Sequence, residues 1–366
     1  MRVAIVTSWQ VPCGIANYSK ELVGALQRQC GLAVTIVPVG PQVWQTHGLT
    51  TGLFRDRVYL RHAATQAARA SLVHIQFAPV FFGGLKPFRN WLPFFLTRCQ
   101  RPAVVTVHEL DSAGPLPIRW LKLWEQRRIF RAPFVRHLIA PYRLAAETIG
   151  RLSKRPVTVL PLWVPSDERP LDTLVAKEKL GLSGRFVLLA FGFVVKRRGY
   201  EVLIRALEKL SSDILLILAG GAHPLDRSGY YDQLIRWIQS RPIRQRVRLL
   251  GYVPDEQVPL IMSAADVVVA PFLSLTGSAS LMKALAYGKP IVASDLPFVR
   301  DLADHSGAVL TVPPADPEKL AQALQKLRDD PDRLQQLAQS ANDYRQINTV
   351  QKAAEAHRAI YEGCLL

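Results

Sequence analysis

The chain has little of what would mark a secreted or membrane-spanning protein. Cysteine is scarce: four residues in 366, Cys13, Cys30, Cys99 and Cys364. With no CxxC pair and no Cys/His cluster at metal-ligand spacing, both a disulfide framework and a zinc site are argued against. No apolar run reaches the ~18 residues of a helical membrane span. The opening MRVAIVTSW is short, β-branched and quickly interrupted, so it reads as a first core strand and not as a signal peptide. A reducing, cytoplasmic setting is expected. Neither a repeat of solenoid period nor a low-complexity tract is present. Acids are also few, 29 Asp and Glu against 46 Lys and Arg, for a net charge of +17.

A hydrophobic content of 49% excludes a mostly disordered chain, and this length suits two domains of roughly 150 to 200 residues. The excess charge is concentrated. Leu85 to Arg155 holds fourteen Lys/Arg against Glu109, Asp111, Glu125 and Glu147, so ten of the seventeen excess charges sit in this fifth of the sequence. Phe88, Trp91, Phe94, Phe95, Trp120, Trp124, Phe130 and Phe134 are interleaved with them. Such a mixture suits anionic lipid headgroups, although nucleic acid would also accept it. At helical period, Ile118 to Arg131 does not separate into an apolar and a basic face.

Along the chain, apolar runs alternate with helical stretches. Val3–Thr7, Val34–Val39, Leu72–Gln76, Ala103–His108 and Val157–Leu160 read as strands, with helices such as Tyr18–Gln29 and Thr65–Arg69 between them. LPLWVPSDERP, residues 160–170, is irregular and reads as a linker. The same grammar then restarts, with strands at Phe186–Phe191, Leu215–Ala219, Val247–Leu250, Val267–Ala270, Ile291–Ala293 and Val309–Thr311, and helices at Tyr200–Leu210 and Tyr231–Ser240. Asp316-Pro317-Glu318 supplies a cap, a proline at the first helical position and an early acid for a helix to about Arg328. In a last helix, capped by Asn348 or Thr349, Val350, Ala353, Ala354, His357, Ile360 and Tyr361 share a face that needs a surface to bury against. The expected fold is α/β, two doubly wound parallel-sheet domains in series. Their expected extents are 1–165 and 166–348, with a helix over 349–366 packing back on the first.

The most informative stretch is PFLSLTGSASLMKALAYGKPIVASD, residues 271–295. It runs from a buried strand through a small, hydroxylated turn into a helix and a second strand. The turn Thr276-Gly277-Ser278-Ala279-Ser280 leaves backbone N–H groups at the positive end of the helix dipole, where a diphosphate fits. An ordinary serine-capped helix start is the plain alternative.

Several motifs in a fixed order carry a family resemblance. They are Pro12-Cys13-Gly14-Ile15-Ala16-Asn17-Tyr18, Val107-His108-Glu109, Phe191-Gly192-Phe193 running to Arg198-Gly199, Leu218-Ala219-Gly220, Gly251-Tyr252-Val253-Pro254-Asp255, Ala264-Ala265-Asp266 and Ala284-Leu285-Ala286-Tyr287-Gly288-Lys289-Pro290. Over nearly the whole chain they resemble the retaining glycosyltransferases of family four. That resemblance implies the GT-B fold, in which two Rossmann-like domains face a central cleft. It also implies a nucleotide-diphosphate sugar as donor substrate, held mainly by the C-terminal domain, with no cofactor and no metal. The acceptor, lipid-linked or saccharide, would be held by the N-terminal domain.

On this reading His108 contacts the donor sugar, and Lys196 and Arg198 neutralise the leaving diphosphate with Arg197 beside them. Gly14 and Ile15 let the backbone approach the donor; Gly192, Tyr252, Val253 and Thr276 to Ser280 complete the donor site. His74 reads as structural. Registering on Ala284 to Gly288 places Leu275 and Lys283 where many family members carry two glutamates. The expected function is a retaining, metal-independent transferase acting on a lipid-linked or polysaccharide acceptor. It would work peripherally at the cytoplasmic membrane face, through the basic-aromatic region 85–155, and not on nucleic acid. The alternative is a non-catalytic GT-B nucleotide-sugar-binding or assembly subunit.

Overall fold

The computed structural model describes residues 1–11, 13–40, 53–85, 89–110, 115–166, 168–223 and 226–366, with backbone only at 53–56. Pro12, Phe88 and Asp111, all singled out in the sequence, lie outside the described residues. The chain forms two compact units, Met1–Leu162 with Val350–Leu366, and Trp163–Thr349.

The first unit holds a six-stranded parallel sheet: β1 (Arg2–Thr7), β2 (Ala33–Pro38), β3 (Leu72–Phe77), β4 (Ala103–Val107), β5 (Val135–Ala140) and β6 (Val157–Val159), in the order β2-β1-β3-β4-β5-β6. Its helices are α1 (Gly14–Arg28), α2 (Leu53–Ala67), α3 (Leu92–Cys99), α4 (Leu116–Phe130) and α5 (Arg143–Ser153). Every residue of β3 and β4 is buried, as befits strands covered by helices on both faces. Three expectations shift. Strand β5 was not foreseen, because Arg136 and His137 interrupt its apolar run. Helix α1 begins at Gly14, four residues before Tyr18, and α2 is longer than Thr65–Arg69.

In the second unit the strands are β7 (Phe186–Phe191), β8 (Ile214–Ala219), β9 (Val247–Gly251), β10 (Val267–Ala270), β11 (Ile291–Ser294) and β12 (Val309–Val312), in the order β12-β11-β10-β7-β8-β9. Around them lie α6 (Thr173–Lys179), α7 (Tyr200–Leu207), α8 (Tyr230–Gln239), α9 (Val258–Ala264), α10 (Ala279–Ala286), α11 (Pro297–Ser306), α12 (Pro317–Asp329) and α13 (Pro331–Ile347). The Asp316 carboxylate accepts the Lys319 N–H at 2.9 Å to cap α12. Trp163 and Val164, expected in the first domain, belong here instead: the Val164 N–H donates to the Asn348 carbonyl at 2.9 Å.

The last helix, α14 (Val350–Leu365), belongs to the first unit. It buries Val350, Ala354, His357 and Tyr361, and it packs on α1 and on the β4 and β5 strands. In each sheet the strand order reverses direction, between β1 and β3 and between β7 and β10. Ligand crevices of open α/β sheets lie beyond the carboxyl ends of strands at such points.

Candidate functional site

In the second unit the loop after β7 folds back over its own strand. Two glycines permit this. Gly192 has φ +107°, and a Cβ there would stand 2.8 Å from the Arg198 guanidinium. Gly199 has φ +68°, and its Cβ would stand 2.0 Å from the Pro271 carbonyl oxygen. A side chain at 199 would collide with backbone and push the loop away, whereas one at 192 would strain the positive-φ backbone and displace the Arg198 guanidinium.

Arg198 is the residue so placed. Its Nη1 donates to the Phe191 carbonyl at 2.6 Å and reaches the Ser280 hydroxyl at 3.4 Å, and its guanidinium lies 5.2 Å over the Phe272 ring. Burial holds its pKa below the usual arginine value, yet a guanidinium stays charged at neutral pH. Tyr200 donates its hydroxyl to the Gly192 carbonyl at 3.0 Å and closes the turn. Lys196 and Arg197, in the same one-turn 3-10 helix, are exposed. Lys196, expected to act with Arg198, is thus the more exposed of the two, Arg198 being half-buried.

Because β10 is the neighbour of β7, the start of α10 comes beside Arg198. Ser278 caps that helix, accepting the Leu281 N–H at 3.3 Å, and its hydroxyl lies 2.9 Å from that of Ser280. The N–H groups of Ala279 and Ser280 open the helix and have no intrahelical acceptor. Thr276 and Gly277, half-buried, lead into the cap. Arg198, Phe272 and Ser280 line one small pocket. Tyr252 and Val253 follow β9 at the sheet edge; Val253 is buried and the Tyr252 side chain is exposed.

Lys283 does not face a vacant carboxylate position. Its Nζ pairs with Glu168 at 2.7 Å, and the other oxygen of Glu168 accepts the Tyr287 hydroxyl at 2.5 Å. Leu275 is half-buried in the loop. Glu168 was assigned only to the linker, and Phe272 was not singled out; neither has a sequence signal beyond proximity to the motifs.

The first unit carries the remaining candidates. Gly14 opens α1 behind Cys13 and is exposed; a Cβ there would meet no atom within 4 Å. Packing among the described residues therefore does not require glycine at 14. Ile15 is half-buried, and its carbonyl accepts the Ser19 hydroxyl at 2.8 Å.

His108 follows β4. Its backbone N–H donates to the Phe77 carbonyl at 3.0 Å, its ring stands edge-on to Tyr18 at 4.9 Å, and its Nε2 lies 2.7 Å from Gln76 Oε1. Although part of its surface reaches solvent, desolvation by the surrounding protein, with a smaller effect from His357, lowers its pKa to about 3. Imidazolium chemistry is thereby disfavoured and hydrogen bonding by the neutral ring favoured. His74 is fully buried, 2.8 Å from Thr106 Oγ1 and 2.6 Å from the Tyr361 hydroxyl. Gln76, which links the two histidines, was missed, since a lone glutamine in an apolar strand carries no sequence signal.

The basic-aromatic region divides in the structure. Phe95 and Phe130 are core, and Arg57 and Arg98 lie 4.9 and 5.6 Å over the Phe94 ring. Arg128 is held by Glu125 at 2.6 Å. These groups serve the unit's own packing. By contrast Leu116, Ile118, Trp120, Leu121 and Trp124 of α4 are exposed, Trp120 at 73%, beside Arg119 and Lys122. Among the described residues, no group of three or more His, Cys, Asp or Glu could hold a metal ion, and no helix is long and apolar enough to cross a membrane.

Comparison with known proteins adds the following. Residues 173–344 match the family described as "Glycosyl transferases group 1". The chain is 31% identical over 209 residues to D-inositol 3-phosphate glycosyltransferase of Corynebacterium diphtheriae, covering 55% of this chain and 47% of that one. It is 27% identical over 209 residues to alpha-D-kanosaminyltransferase of Streptomyces kanamyceticus, covering 54% and 50%. The matched part thus spans about half the length of these relatives. The crystal structure of Anabaena Alr3699/HepE in complex with UDP superposes with a TM-score of 0.78, at 17% identity, over 99% of this chain and 100% of that one. The fold is that of the GT-B glycosyltransferases.

Proposed function

We propose, on the premise that residues 173–344 are a glycosyl transferases group 1 domain, that this protein is a retaining, metal-independent glycosyltransferase. It moves a sugar from a nucleoside-diphosphate donor to a lipid-linked or polysaccharide acceptor at the cytoplasmic membrane face. The carrying observation is Arg198, fixed over the end of β7 by Phe191, Phe272 and Ser280, beside the open N–H groups of α10. As the sugar–phosphate bond breaks, charge grows on the leaving diphosphate. A cation and helix N-terminus already held in place stabilise that charge without reorganising. The family resemblance assigns the donor-sugar contact to His108, and a ring kept neutral by burial does not repel developing positive charge. Retention comes from the family resemblance, and the UDP in the Alr3699/HepE structure supports a nucleotide as ligand.

The membrane-face acceptor is supported by α4, where exposed tryptophans sit among cations, a composition that partitions into anionic interfaces. One experiment addresses the donor. Thermal shifts with UDP, GDP, ADP, dTDP, CMP and their sugar conjugates should single out one nucleotide, since ligand at ~100 times its dissociation constant stabilises by roughly 2.7 kcal/mol. No shift with any of them would sink the reading.

A second reading has its own observation. Leu275 and Lys283 replace the two acids, and Lys283 is occupied by Glu168. This favours a non-catalytic nucleotide-sugar-binding or assembly subunit. Sugar transfer or donor hydrolysis that vanishes in a stably folded His108→Ala variant would eliminate it.

A further inference from the structure

His108 is one end of a hydrogen-bonded chain that begins on the last helix. Tyr361 of α14, fully buried, places its hydroxyl 2.6 Å from His74 Nδ1. The other nitrogen of that ring, Nε2, lies 2.8 Å from Thr106 Oγ1, and the amide nitrogen of Gln76 lies 3.2 Å from Nε2 and 3.4 Å from Nδ1. Gln76 in turn presents its oxygen to His108 Nε2 at 2.7 Å. An amide oxygen can only accept, so the hydrogen of this last bond must sit on His108 Nε2. A neutral imidazole has one N–H, and Nδ1 is then left as the acceptor.

We propose that Tyr361 and His74 are positioning residues that act through Gln76 to fix His108 in its Nε2–H tautomer, so that Nδ1 accepts a hydrogen bond from a hydroxyl of the transferred sugar. The last clause rests on the reading of His108 as the sugar-contacting residue; the relay itself does not. The orientation of the Gln76 amide is the hinge of the arrangement. If the amide were reversed, its N–H₂ group would face His108 and require the opposite tautomer, while its oxygen would need a hydrogen from His74 Nε2, which Thr106 Oγ1 already faces at 2.8 Å. Charged and titratable groups around His108 are Tyr18 from α1, His74 from β3, His357 and Tyr361 from α14, and Glu109 next in sequence. Helix α14, sixty residues from any glycosyl transferase motif, thus sets the chemistry of a group after β4.

Two-bond ¹H–¹⁵N spectra of the full-length, histidine-labelled protein, without substrate, read tautomers directly. The His108 signal is assigned by its loss in His108→Gln. The expected result is a neutral Nε2–H pattern held from pH 8 to 5. In Tyr361→Phe that pattern should give way to a tautomer mixture. In Gln76→Glu the Nε2–H form should persist while its titration midpoint rises by about 1–3 pH units, because a carboxylate then stabilises the imidazolium. An Nδ1–H pattern in the unaltered protein would overturn the proposal, as would a His108 signal unmoved by Tyr361→Phe or by Gln76→Glu. Should Tyr361→Phe not fold, His74→Gln applies the same test to the upstream link. The thermal-shift panel judges the nucleotide site separately: a silent panel sinks the transferase reading and leaves the tautomer result standing.

Discussion

Arg198 differs from its neighbours in what a truncation would remove. Lys196 and Arg197 are exposed, and exposed charges contribute little individually. Arg198 is pre-oriented, and a preformed charge-assisted contact is worth more than a mobile one. Arg198→Ala is expected to weaken the preferred nucleoside diphosphate by about 1.5–3 kcal/mol, roughly 10- to 150-fold in dissociation constant by calorimetry. Lys196→Ala should change it less than threefold. Equal losses would place the diphosphate elsewhere. Arg198 was legible as a candidate because a cation before a glycine in a strand-ending loop is a local pattern. Its superiority over Lys196 was not, since that depends on Gly192 and on Phe272, a residue seventy-four positions away that only the β7–β10 pairing brings near. Glu168 was illegible for the same reason: nothing in LPLWVPSDERP points to Lys283 on α10.

At the scale of elements, two helices separate burial from surface. Helix α14 holds Tyr361 at full burial, and removing a large aromatic from a packed site leaves a cavity. Tyr361→Ala should destabilise the protein by about 3–5 kcal/mol in urea unfolding; a cost under 1 kcal/mol would mean that this helix is not docked in solution. Helix α4 is the converse case. Leu116 and Trp120 are 75% and 73% exposed, so replacing this pair together by alanine should leave the melting temperature nearly unchanged. The same pair should lower sedimentation with anionic vesicles at least fivefold, and added salt should weaken what binding remains. Undiminished binding would move the membrane contact away from α4. The helical projection of Ile118 to Arg131 blurs this division because the first half of the helix is exposed on every side through Leu121, and only the second half has a buried face, at Glu125, Gln126, Ile129 and Phe130. Most strands of the second unit were readable as apolar runs, with the single Arg248 in β9 the one charge among them, whereas the adjacent pair Arg136 and His137 hid β5 inside the most basic part of the chain.

Across the whole molecule, acid should not act evenly. His74, His108 and His357 all belong to the first unit, and burial lowers the pKa of each, to about 3 for His108 and about 4 for His357. Unfolded, each takes up its proton near pH 6.5. Below that pH the unfolded chain binds more protons than the folded one, so their stabilising effect is complete above about 6.5 and is lost progressively as pH falls toward 4. In the second unit His223 is lowered by burial too, but it is less enclosed. Added positive charge on a chain already at +17 strains both units through self-repulsion, so the difference between them isolates the histidines. Hydrogen exchange, corrected for the intrinsic pH dependence of the amide rates, should show protection in β3 and β4 falling more between pH 7 and 5 than protection in β7 and β10. A matching loss in both sheets would assign acid sensitivity to net charge, and the buried histidines of the first unit would then be neutral without cost to its stability.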